Sequence, residues 1–148
     1  MKNEIEKQID VKAPLSRVWR ALTDYREFGR WFQVRLDGPF VPGQACAGAM
    51  TYPGFEGKPF TVMVKEIQPE RLFSYTWHPY ALDPDRDYDA EPQTLVVFTL
   101  QEIAGGTRLT VNESGFDSLA ADRREEAFSM NEGGWEAQLQ NVARHVAQ

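Results

Sequence analysis

Between Glu4 and Val11 the side chains alternate, with Ile5, Lys7, Ile9 and Val11 set against Glu4, Glu6, Gln8 and Asp10. That is the period of a half-buried strand, interrupted on its apolar side only by Lys7. After Ala13-Pro14 the period lengthens: Leu15, Val18, Trp19 and Leu22 recur at helical spacing, and Pro14 suits a first turn. A second short helix is expected over Tyr25 to Phe32, with Phe28, Trp31 and Phe32 on one side. From Gly38 onward, turn residues separate short alternating runs. These predict strands near Gln44 to Thr51, Pro59 to Ile67, Arg71 to His78, Gln93 to Glu102 and Thr107 to Ser114. Gln68-Pro-Glu70 and Ala104-Gly-Gly106 are short enough for hairpins, which sets their flanking strands antiparallel. The run YALDPDRDYDAEP between them is polar and proline-rich, a loop at one end of the sheet.

Alternate residues of a strand share a face, so Phe73, Tyr75 and Trp77 form one set, and Val96, Phe98 and Leu100 another. Leu109, Val111 and Glu113 form a third, which ends in a carboxylate. FTVMVKEI is apolar on both parities, and its inner face stays open. The first two sets need a cover. Ser118 to Val146 supplies one, because Phe128, Trp135, Leu139, Val142 and Val146 recur as a single helical stripe. The stripe keeps phase through Gly133-Gly134, although each interior glycine costs about 1 kcal/mol relative to alanine. One long helix is therefore expected there. Strand, two short helices, antiparallel sheet and final helix together predict an α+β fold in which the sheet wraps the last helix.

Composition narrows the function classes. The 148 residues, 42% hydrophobic and 12% aromatic, suit one domain with one core. A lone cysteine, Cys46, and two distant histidines, His78 and His145, predict neither an internal disulfide nor a metal site, and no cofactor is expected. The net charge of −6 disfavours nucleic acid and anionic lipid, and Arg123-Arg124, followed by two glutamates, reads as a solvated helix face. No apolar run is long enough for a membrane span, and MKNEIEKQID lacks the apolar core of a signal peptide, so the expected location is cytoplasmic.

The runs DVKAPLSRVWRALTD, FGRWF, LDGPFVPGQ, PERLFSYTWHPYA, GGTRLTVNESGF and MNEGGWEAQLQNVARHV, in this order, resemble the C-terminal-domain homologues of the heat-shock-protein-90 ATPase activator. These belong to the helix-grip superfamily, with the START lipid-transfer domains, the birch-pollen allergen and polyketide cyclases. The resemblance implies a curved antiparallel sheet of about six strands around the last helix. It also implies a cavity between sheet and helix, opening near the short helices. The superfamily hosts ligand carriers, enzymes and chaperone partners alike.

The aromatic residues Trp31, Tyr75, Trp77, Phe98 and Trp135 are either a filled core or the wall of a ligand pocket. The resemblance favours the pocket for Trp31, Trp77 and Trp135. Phe32, Met50, Tyr52, Met130, Gly134 and Gln138 complete the candidate binding set together with Glu113. Parity turns Glu113 inward, where a carboxylate serves as acid, base or hydrogen-bond anchor; alternatively it reaches solvent at a strand end, or pairs with Arg71. By parity His78 is an exposed loop-end residue, His145 complements the last helix's dipole, and Cys46 is a small buried hydrophobe. The acidic loop Asp83 to Asp89 lacks calcium-loop spacing and reads as a solvated lid. Three readings follow: a carrier of a hydrophobic or aromatic small molecule, a cyclase or dehydratase using Glu113, and a chaperone-stimulating module. No second catalytic group is evident beside Glu113, and the expected assembly is a monomer or homodimer.

Overall fold

The alternation of Glu4–Val11 forms a strand, β1, over that whole span in the computed structural model, which describes residues 3–79 and 87–147. Helices α1 (Leu15–Thr23) and α2 (Tyr25–Phe32) follow. Asp24 separates them because its carboxylate accepts from the backbone N–H of Arg26 at 2.9 Å and of Glu27 at 3.3 Å, capping α2. Gln33, in the left-handed region at φ 67°, closes α2. The remaining strands are β2 (Val34–Leu36), β3 (Ala45–Met50), β4 (Pro59–Gln68), β5 (Leu72–Trp77), β6 (Thr94–Ile103) and β7 (Gly106–Ser114). They form one antiparallel sheet in the order β1-β7-β6-β5-β4-β3-β2.

A 3₁₀ turn at Phe116–Ser118 leads into α3, Ala121–Val146, a 26-residue helix. It is continuous through Gly133 and Gly134, neither of which has a positive φ. Ala127, Trp135, Leu139, Val142 and Val146 are its buried apolar residues, and Trp135 meets Phe98 of the sheet with ring centroids 5.6 Å apart. Phe128 is half-buried and packs edge-on against Phe116. Phe73, Tyr75, Val96, Phe98, Leu109 and Val111 are fully buried, each such side chain being worth about 1.5–3 kcal/mol. This is the helix-grip fold. Among the described residues no helix is long and apolar enough to cross a membrane.

Several local readings change. The sheet has one strand more than the pattern predicts, because β2 is three residues long and too short to show an alternation. It is held close to its neighbour: a Cβ on Gly48 would lie 2.0 Å from the Arg35 carbonyl oxygen. The ambiguity of FTVMVKEI resolves in a β-bulge. Phe60, Val62 and Val64 face inward, the register shifts between Val64 and Glu66, and Ile67 then pairs with Phe73 on the other parity. Arg123 is not on a solvated face. It is buried, with Nε 3.1 Å from Glu91 Oε1 and an Nη donating to the Pro79 carbonyl at 2.6 Å. Arg124 caps the preceding turn through the carbonyls of Asp117 and Leu119. Of the acidic loop, residues 83–86 lie outside the described residues.

Candidate functional site

The end of α2, the β3–β4 hairpin, the end of β5 and one face of α3 enclose a groove of about 920 Å³. Its apolar wall is aromatic. Phe32, from the last turn of α2, lies 5.3 Å from Phe60 and 6.1 Å from Trp77 between ring centroids, and Phe60 lies 6.0 Å from Trp77. Trp31 is fixed at the top by its indole N–H, which donates to the Ala21 carbonyl at 2.8 Å. Tyr52 and Met130 stand on the rim, 46% and 48% exposed, both unusually open for large apolar side chains.

Behind this wall lies Glu113, fully buried. It sits in a row across the sheet, Ile5–Glu113–Val96–Tyr75–Val64, defined by the strand register. Oε2 accepts from Trp77 Nε1 at 2.7 Å and Thr94 Oγ1 at 2.6 Å, and Oε1 from Trp135 Nε1 at 2.8 Å and Asn131 Nδ2 at 2.9 Å. A buried carboxylate loses its hydration, and four donors replace it with short, charge-assisted bonds. Trp77 and Asn131 line the groove while Glu113 does not, so the carboxylate positions the floor from beneath. Beside it, burial and then the charge of Glu113 push the Tyr75 hydroxyl well above its usual range, and that hydroxyl makes no hydrogen bond among the described residues.

The opposite wall is polar and comes from α3. Gln138 donates to the Phe32 carbonyl at 3.4 Å, Asn141 donates to Gln138 at 2.9 Å, and Arg144 donates to Asn141 Oδ1. One residue further, His145 Nε2 lies 2.8 Å from Glu27 Oε1, a carboxylate that also accepts from Arg17 at 2.7 Å and Arg20 at 2.8 Å. Burial opposes the ionisation of Glu27, but the bonds from His145, Arg17 and Arg20 outweigh it and hold the carboxyl below its ordinary range.

Of the residues singled out in the sequence, Trp31, Phe32, Met50, Tyr52, Trp77, Met130, Gly134 and Gln138 line the groove. Tyr75, Phe98, Glu113 and Trp135 do not; they are buried behind it. Glu113 neither reaches solvent nor pairs with Arg71, because its partners are the four donors above. His78 is half-buried in the groove wall rather than exposed: β5 ends at Trp77, so strand parity no longer applies, and the ring nitrogen lies 3.1 Å from the Glu91 carbonyl. Cys46 is buried, and burial, then the charge of Asp37, push its thiol up and away from nucleophilic use. The sequence reading missed Phe60, Asn131 and Arg144 as lining residues. For Asn131 a signal existed, since it stands four residues before Trp135, and both reach the same carboxylate from one helix face.

Among curated proteins none matches this chain. Among solved structures, DynU16, described as a protein in the dynemicin biosynthetic locus, superposes with a TM-score of 0.77 and 23% identity. That match covers 100% of this chain and 48% of DynU16, so this chain spans about half of DynU16's length. Protein MLL2253 from Mesorhizobium loti gives a TM-score of 0.77 at 22% identity, covering 97% of this chain and 96% of that one. CalU16 from Micromonospora echinospora gives 0.67 at 22% identity, covering 97% of this chain and 75% of that one. At these identities the likeness shows the fold alone. A family model, by contrast, matches residues 12–147, and the chain belongs to the family it describes, Activator of Hsp90 ATPase homolog 1-like protein.

Proposed function

We propose that this protein binds a small apolar or aromatic molecule in the groove between α2, the β3–β4 hairpin and α3, acting as one cytoplasmic domain. The observation that carries the reading is the groove itself. Its volume of about 920 Å³ suits a drug-sized ligand, its wall is aromatic, and Tyr52 and Met130 stand uncovered at its rim. The arrangement of Glu113 supports binding over catalysis: a carboxylate already accepting from four donors of its own chain does not line the groove. It orients two groove residues and is a positioning residue.

Native mass spectrometry of the purified protein, together with titration of N-phenyl-1-naphthylamine, tests the proposal. Saturable dye binding that Gly134→Leu abolishes supports it. Absence of any bound small molecule and of any saturable binding overturns it. A chaperone-stimulating role rests on the family description. An ATPase assay separates the two readings, because equal stimulation by the wild type and by Gly134→Leu would place the function outside the groove.

A further inference from the structure

The chain carries a net charge of −6, yet the corner where α2 crosses α3 is cationic. Two contacts fix that crossing: Glu27 meets His145, and the Phe32 carbonyl meets Gln138. Arg30 lies between the first members of these pairs, and Asn141 and Arg144 lie between the second. All three of these residues line the groove. Neither guanidinium is neutralised: Arg144 donates to the uncharged amide of Asn141, and Arg30 has no ion-pair or hydrogen-bond partner among the described residues. The nearby carboxylate, Glu27, is taken up by Arg17, Arg20 and His145. Asp89, from the connection between β5 and β6, also lines the groove.

Arg30 and Arg144 are both exposed at the groove, and a neutral ligand on the aromatic wall would offer them no acceptor. An anionic group placed at this corner would accept forked, charge-assisted bonds from one or both. The inner end has the opposite polarity. The Asn131 amide nitrogen is committed to Glu113, and its Oδ1, with no partner among the described residues, is an acceptor at the groove floor.

Building on the groove-binding reading, we infer that the ligand is an amphiphilic anion, an aromatic or apolar body ending in one acidic group, with that group held by Arg30 and Arg144. The body lies on Phe32, Phe60 and Trp77.

Two dyes that differ by one anionic group test this: 8-anilinonaphthalene-1-sulfonate and its neutral parent, N-phenyl-1-naphthylamine. The wild type is expected to bind the sulfonate more tightly. The double variant Arg30→Gln/Arg144→Gln is expected to weaken sulfonate binding by about tenfold and the neutral dye by less than about twofold. Raising salt from about 0.02 M to about 0.5 M should weaken only the sulfonate. Arg30→Lys/Arg144→Lys, which keeps the charge but not the fork, should recover only part of the sulfonate affinity. Unchanged near-ultraviolet circular dichroism in each variant shows that the fold persists. If the neutral dye binds and the double variant treats both dyes alike, this inference fails and the groove reading stands. If neither dye binds the wild type, both fail.

Discussion

The Trp77 indole nitrogen donates to Glu113 Oε2 at 2.7 Å, tying the floor of the groove to a carboxylate 36 positions away that does not itself line it. The second oxygen holds Trp135, which stacks on Trp77 at 5.8 Å. One side chain therefore sets the attitude of both indoles. Glu113→Gln removes the charge and replaces one acceptor oxygen by a donor nitrogen, which leaves an indole N–H of Trp77 or Trp135 without its acceptor. We expect a loss of about 2–4 kcal/mol in denaturant unfolding. A loss under about 1 kcal/mol would show that the four bonds contribute little to stability.

Trp77 is half-buried and borders the groove on one side. Trp77→Ala should therefore cost about 3 kcal/mol, the low end of the range for a buried tryptophan, and should weaken binding of the neutral dye. A penalty near 5 kcal/mol with dye binding unchanged would make this position core.

Gly133 and Gly134 are helical and exposed, and apart from their chain neighbours and the backbone of their own helix turns no atom lies within 4 Å of where a Cβ would stand. Nothing conformational requires glycine at either site. Each alanine substitution should raise stability by about 1 kcal/mol, measured by thermal or chemical unfolding. Gly134 alone of the two lines the groove, so Gly134→Leu should abolish dye binding while far-ultraviolet circular dichroism stays native. Destabilisation by both alanines would mean that the helix breaks there in solution.

How legible was this in the sequence? The bounds of β1 and α2 coincide with the expected ones because each carries a period broken at most once, by Lys7 in β1, and a clear stop. The inward parity of Glu113 was readable along β7, but its partners were not, since they come from β5, β6 and α3 and only the sheet register brings them together. Arg123 misled for the same reason: in a charged run it looks solvated, and only tertiary structure supplies the half-buried Glu91 and the Pro79 carbonyl. The polar wall of Asn141, Arg144 and His145 occupies a helix face that pattern alone assigns to water.

Acid should act through Glu27. Its folded-state pKa is depressed, so its contribution to stability is fully present above the ordinary glutamate value of about 4.3 and is lost as pH falls through the lower folded value. As pH falls below the ordinary glutamate value, the stability advantage of wild type over Glu27→Gln should shrink, with the wild type more stable at neutrality, as unfolding free energies measured across that range would show. Parallel curves would show that the bonds from Arg17, Arg20 and His145 do not stabilise the carboxylate.

Among the described residues the first strand hydrogen-bonds to one other strand, β7. Residues 4 to 11 pair with residues 114 to 107 of β7, and Thr107 also donates to the Ala13 carbonyl at 2.9 Å. During synthesis β1 emerges well before the strand it pairs with and waits, its edge unpaired, until residues 107–114 have also left the ribosome. Closing so long a loop makes the contact order high, and such topologies fold in about milliseconds to seconds. The interval before β7 arrives is when this chain is most exposed to misassociation, since its apolar residues Ile5, Ile9 and Val11 then have no sheet to join.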